Sequence, residues 1–152
     1  MPAQTPRPRW RSTRGFSLVE ALVVVVILGV LTLIFAPRLE PLAAGRGVKG
    51  ARAGFVNLFN LARVYAVQLR GRAFVVVSNN IATARVVSGG VSRTVGSAVR
   101  FDSTFRVVAT PVPDSVVIES SGLITTGLPF SLVLSRSGVV DTVKITGYGK
   151  VE

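Results

Sequence analysis

Twenty-one consecutive residues, Phe16 to Ala36, carry only three polar side chains, Ser17, Glu20 and Thr32. As a helix such a run rises about 31 Å, the depth of a bilayer's hydrocarbon core. No other property of the chain constrains its fold as strongly. Residues 1–15 before it hold Arg7, Arg9, Arg11 and Arg14, three prolines and no acid. Arginine ahead of the span and none inside it orients the segment by the positive-inside rule. The N-terminus is expected in the cytoplasm, with everything after Arg38 on the far side of a membrane crossed once.

A secretory signal peptide would have a shorter apolar region and a small-residue cleavage site close behind it. Here the nearest approximation is Leu42-Ala43-Ala44. A plain membrane anchor explains the length but not Glu20. A carboxylate inside an apolar span costs about 2.5–3.5 kcal/mol at the bilayer centre and less near the interface, so it normally has a partner.

The run Arg14-Gly15-Phe16-Ser17-Leu18-Val19-Glu20 opens the apolar span, which ends at Pro37. This arrangement resembles the processing site of type IV prepilins and pseudopilins. The resemblance implies cleavage after Gly15 by a membrane prepilin peptidase and methylation of the new N-terminal amine on Phe16. It also implies that the helices of several pilins or pseudopilins pack as a filament core, with Glu20 facing a neighbour's terminal amine. The physical chemistry is compatible: Gly15 has no Cβ to obstruct backbone access, and a compact ammonium is a fitting partner for a buried carboxylate. Residues 1–15 are then a leader and 16–36 a transmembrane and filament-core helix.

Pro37 and Pro41 predict a helix kink, and with Gly45, Gly47 and Gly50 they predict a kinked hinge over residues 37–47. From Val48 a helical period resumes. Val48, Ala51, Phe55, Leu58, Phe59, Ala62, Ala66 and Leu69 fall on one stripe, with Lys49, Arg52, Asn60, Arg63 and Arg70 mostly off it. Gly71 is expected to cap that helix.

After Arg72 the texture becomes Val-rich runs divided by turn residues. Strands are expected over 73–78, 81–88, 91–95, 99–101, 104–109, 115–119, 130–135 and 139–146. Gly89-Gly90 is a hairpin signal. No helix-length segment intervenes, which predicts an antiparallel meander. The fold class is therefore α+β: a long N-terminal helix, half transmembrane and half amphipathic, packed on an antiparallel sheet domain spanning 48–152. Tyr148 reads as a packing residue at the end of that sheet.

Ala62-Arg63, Leu69-Arg70-Gly71-Arg72 and Phe74-Val75-Val76-Val77 resemble the helix-to-strand junction of the GspH/FimT group of minor pilins and pseudopilins. Leu132–Leu134, Ser137-Gly138, Val143–Thr146 and Gly149-Lys150-Val151 resemble that group's closing hairpin. Together they identify the chain as similar to a minor pseudopilin of a type II secretion system, a structural subunit assembled into a pseudopilus.

Charge raises a second reading. The chain holds 18 Lys+Arg against 7 Asp+Glu, a formal charge of +11. From Arg46 onward there are 13 basic and 5 acidic residues, net +8, so the leader does not account for it. Some pilins of the group it resembles bind DNA during natural transformation. The local candidates for phosphate contact are Arg63, Arg70, Arg72 and Lys150. Against this, Glu152 stands beside Lys150, and Phe101 and Phe105 alternate with Arg100 and Arg106 as core rings between outward charges.

Catalysis has little to work with. There is no His and no Cys, which removes the usual general base, thiol nucleophiles and imidazole or thiolate metal ligands. Asp102, Asp114, Glu119 and Asp141 lack a calcium-loop spacing. Gly45-Arg46-Gly47 lacks the spacing of a phosphate-binding loop. The expectation is a non-enzyme without cofactor or metal.

Overall fold

A computed structural model describes residues 17–125 and 129–152. The chain divides into two units, Met1–Arg38 and Leu39–Glu152. Its first element, α1 (Leu18–Gln68), is 51 residues long. Ser17 stands at its N-cap: the Val19 amide donates to Ser17 Oγ at 3.3 Å, and the Ala21 amide to Ser17 O at 3.1 Å. In the first unit, Leu18–Ala36 forms a helix long and apolar enough to cross a membrane, with none of it buried. Its Thr32 hydroxyl donates to Leu28 O at 2.7 Å, satisfying its proton within the helix.

Residues 37–47, expected as a hinge, are helical, and α1 does not start afresh at Val48. Burial supplies the reason. Ala44 and Val48 already belong to the stripe that α1 packs into the second unit, and helices in proteins are held mainly by such packing. Gly47 and Gly50 are contact points. A Cβ on Gly47 would stand 2.7 Å from both Arg136 Nη1 and Phe105 O, and one on Gly50 3.0 Å from the Phe105 ring. Of Gly45, Gly47 and Gly50, Gly45 alone faces open space.

In the second unit the α1 stripe Val48, Ala51, Phe55, Leu58, Phe59, Ala62 and Ala66 is buried. The helix stops in a paired-bond C-cap. The Gly71 amide donates to Ala66 O at 3.0 Å and the Arg70 amide to Val67 O at 3.2 Å. The left-handed residue is Arg70, at φ 47°, and not Gly71. Gly71 is needed for another reason: a Cβ there would collide with Val87 O and come within 2.9 Å of Ser88 Cβ.

Eight strands and one further helix follow among the described residues. They are β1 (Arg72–Ser78), β2 (Ile81–Ser88), β3 (Val91–Thr94), β4 (Val99–Arg100), α2 (Phe101–Phe105), β5 (Val108–Val112), β6 (Ser115–Ile118), β7 (Phe130–Arg136) and β8 (Val139–Ile145). All pairs are antiparallel, in a five-stranded sheet ordered β3-β2-β1-β6 with β4 also on β2, and a three-stranded sheet ordered β5-β7-β8. A simple meander is therefore incorrect: β6 returns to β1, and β5 leaves for the second sheet. Those pairings are non-local, so strand periodicity carries no record of them.

The tight turns obey local chemistry. Asn79-Asn80 (φ 50° and 59°), Gly89-Gly90 (56° and 77°) and Ser137-Gly138 (46° and 81°) each join paired strands through two positive-φ residues. The expected strand over 104–109 is corrected. Phe101 and Phe105 belong to α2, where a spacing of four puts both rings on one face, Phe101 fully buried and Phe105 partly. Arg106 then ends α2 at φ 55°.

The buried faces of both sheets enter one cluster with α1. Ala73, Val75, Val77, Ala82, Ala84 and Val86 come from the larger sheet, and Phe130, Leu132, Leu134, Val143 and Ile145 from the smaller. The Phe55 and Phe130 rings stack at 5.6 Å between centroids. The tail closes on β8, where Lys144 and Glu152 exchange backbone hydrogen bonds of 3.0 and 2.8 Å beside the Ile145–Val151 bridge.

Candidate functional site

The proposed processing point, Gly15 and Phe16, lies outside the described residues. Glu20 lies within them, at the third helical position behind the Ser17 cap. A carboxylate in the first turn is favoured by the exposed amides and the helix dipole. Ser17-Leu18-Val19-Glu20 thus has the spacing of a capping box, a local role legible in the sequence but missed there. Glu20 is exposed and makes no ion pair among the described residues. Its surroundings in the first unit are apolar side chains from Leu18 to Phe35, nearly all of them open to the outside.

In the second unit the suspected phosphate contacts meet around one pair of loops. Arg63 Nη1 donates to Gly149 O at 3.2 Å and Nη2 to Tyr148 O at 3.3 Å. Its guanidinium lies against Gly122 and Gly149, where a Cβ would come within 3.2 and 3.0 Å. Both glycines have positive φ, 79° and 75°. Arg63 therefore fastens α1 to the C-terminal loop, an assignment its position off the apolar stripe did not reveal. Tyr148 contributes only its carbonyl: its side chain is 82% exposed, so it is not the sheet-end packing residue expected.

The other three cations differ in how far they are committed. Arg72 Nε pairs with Glu119 Oε2 at 2.9 Å, and Lys150 Nζ with Glu152 Oε1 at 3.0 Å. In both pairs the cation is largely exposed, which makes such pairs weak, on the order of 0–1 kcal/mol, yet each carboxylate reduces the positive potential beside it. Arg70 is exposed and has no side-chain partner among the described residues. The constellation is real as a juxtaposition, but two of its four charges are offset and a third is spent on backbone carbonyls.

Two arginines that the sequence did not single out hold the helix to the sheets. Arg52 Nη1 meets Asp141 at 3.0 and 3.2 Å, tying α1 to β8. Arg136 Nη1 donates to Phe105 O at 3.0 Å and Ala43 O at 3.5 Å, joining β7, α2 and α1. Both act across long sequence separations, for which a single chain offers no signal. Among the described residues no three His, Cys, Asp or Glu side chains come together as a metal site would require.

Residues 10–36 match the prokaryotic N-terminal methylation motif. No curated protein sequence matches the chain. The fold is similar to two crystal forms of the type IV minor pilin FimU from Pseudomonas aeruginosa strain PAO1. The first is 13% identical, covers 69% of this chain and 86% of that one, and superimposes with a TM-score of 0.56. The second is 12% identical, covers 68% and 90%, and has a TM-score of 0.55.

Residues 10–36 thus carry a prokaryotic N-terminal methylation motif, and the domain that follows is built like the minor pilin it superimposes on. The α+β fold, with its long N-terminal helix followed by antiparallel sheets, is a pilin-like fold.

Proposed function

We propose that the chain is a structural, non-enzymatic minor subunit of a type IV pilin-like filament. One observation carries this reading: the methylation motif at residues 10–36 runs directly into α1, whose later residues form the spine of a pilin-like fold. In this reading a prepilin peptidase cuts after Gly15, the Phe16 amine is methylated, and the apolar helix holds the subunit in the inner membrane until it packs among its neighbours. A terminal ammonium near Glu20 supplies the partner that a carboxylate in an apolar setting needs.

Between machines, the likeness to FimU, a type IV minor pilin, favours a pilus. A type II secretion pseudopilus, which the sequence puts first, uses the same processing and helix packing. Mass spectrometry of the membrane-extracted protein tests the shared part: a mature chain starting at an N-methylated Phe16 is expected, and an intact leader refutes it. Deleting the chain and scoring surface piliation against export of secreted enzymes separates the two machines.

DNA capture remains the second functional reading because the second unit is strongly cationic. Arg70 is its best-placed residue, being exposed and without a side-chain partner among the described residues. The test is a DNA titration of the detergent-solubilised full chain at two salt concentrations, with Arg70→Gln beside it. Binding that weakens with salt and in the variant supports uptake, and no binding at low salt removes it.

A further inference from the structure

We propose that the end of the second unit built from residues 40–47 of α1, the α2–β5 connection and the β7–β8 turn is a docking surface for anionic phospholipid headgroups. The inference rests on the reading of Leu18–Ala36 as membrane-inserted.

Chain connectivity supplies the first argument. Ala43 follows Ala36, the last residue of the span, by seven residues, a tether of at most about 25 Å even when fully extended. Whatever lies against Ala43 is therefore kept near the lipid surface. Arg136 is held there by its bonds to Ala43 O and Phe105 O, and Ser137 by its hydroxyl, which donates to Glu40 Oε1 at 3.1 Å. Phe105 O also borders Gly47, which brings the next residue, Arg106, to the same end.

The chemistry of that end is the second argument. Arg106, Val108, Ser135, Arg136 and Ser137 line an open groove whose one carboxylate among the described residues, Glu40, is engaged by Ser137. Arg106 is exposed and makes no ion pair among the described residues, and the same holds for Arg46 on α1. Val108 and Val140 flank Ser135 in one row across β5, β7 and β8 and are 57% and 61% exposed. Leu42 adds a further open apolar side chain at 65%. Guanidinium groups interleaved with short apolar tips suit a headgroup layer, where phosphates meet the upper acyl chains. A nucleic acid would use the arginines and leave the valines without purpose.

The test uses the full chain, which has no cysteine, so one label position is introduced at a time. It is reconstituted in vesicles of phosphatidylcholine alone or mixed with phosphatidylglycerol. A fluorophore at Ser137→Cys, Ser92→Cys or Thr32→Cys is read against nitroxide-labelled headgroups and a water-soluble quencher. The expected result is strong headgroup quenching at 137 with phosphatidylglycerol, weak quenching without it or at high salt, and none at 92. Replacing Arg46 and Arg106 by Gln lowers the docked-to-undocked ratio roughly thirtyfold, at about fivefold or slightly more for each cation near an anionic surface.

Equal quenching at 137 in both lipids, or quenching untouched by the double variant, overturns the assignment. So does a double variant that loses binding of labelled duplex DNA while its lipid quenching stays the same, which makes the surface a nucleic-acid one. Access of the water-soluble quencher to position 32 is a different failure, that of the membrane reading itself.

Discussion

Asn80 Oδ1 accepts the Ala109 amide at 2.8 Å, so one turn residue of the larger sheet fixes the first strand of the smaller sheet. The same residue's backbone carbonyl accepts from Phe101 N at 2.8 Å. Asn at a left-handed position thus serves the β1–β2 turn and the sheet-to-sheet connection together. Replacement by Gly keeps the turn and deletes the side-chain acceptor, with an expected loss of about 1–2 kcal/mol. Asn80→Asp retains an acceptor and should cost less. Urea midpoints of the two variants check the order; equal midpoints would show that the Ala109 bond contributes nothing.

The α1 C-cap makes a paired prediction of opposite sign. Arg70→Gly removes a side chain from a left-handed residue, relieving about 1–2 kcal/mol of strain, less the entropy glycine restores to the unfolded chain. A net gain below about 1 kcal/mol is expected. Gly71→Ala places a methyl group against Val87 O and should cost about 1–3 kcal/mol by overpacking. Thermal unfolding of both variants is the measurement, and a stabilised Gly71→Ala would contradict the close approach.

Arg63 should behave as a structural tie. Arg63→Ala is expected to destabilise by about 1–2 kcal/mol, since a charged donor leaves two backbone carbonyls. Arg63→Lys should rescue little, because one ammonium lacks the fork that reaches both oxygens. Hydrogen exchange at Gly147–Lys150 is the readout: faster exchange in both variants is expected, and full protection in Arg63→Lys would show that charge alone suffices.

Glu20→Ala should be cleaved and methylated like the parent yet fail to enter filaments. The protein lost from a sheared filament fraction should be found in the membrane. Normal incorporation would dismiss the paired-carboxylate reading and leave Glu20 with its role in the first turn of α1.

Gly15→Leu should accumulate as an uncut precursor, visible by its retained leader on a gel. A mature N-terminus at Phe16 in that variant would refute the cleavage assignment.

Local chemistry was readable where one short stretch contains its own cause. Asn79-Asn80 and Gly89-Gly90 mark two-residue turns because few other pairs tolerate two positive φ angles, and β2 follows an alternation that buries Ala82, Ala84 and Val86. The apolar stripe on α1 was readable for the same reason, its period lying in the sequence itself. What depended on distant partners was not. Phe101 and Phe105 fit strand ends and one helical face equally well, and only packing of Phe105 beside Gly50 and Gly54 distinguishes the two. Gly47 looked like a hinge because nothing nearby in sequence announces Arg136. In the candidate site, charge was legible, and so was Glu152 beside Lys150, but the distant partners were not: Arg63 and Arg72 are committed by residues 86 and 47 positions away.

The buried stripe on α1 has a mechanical consequence. From Ala44 to Ala66 its buried residues are distributed along about 33 Å of helix, in one core with both sheets and α2. A tension applied along the axis loads those contacts in shear, all at once, and no single contact can yield before its neighbours share the strain. A helix drawn endwise can therefore carry its β domain with it as cargo, with Arg52–Asp141 and Arg63–Gly149 as further ties between the two.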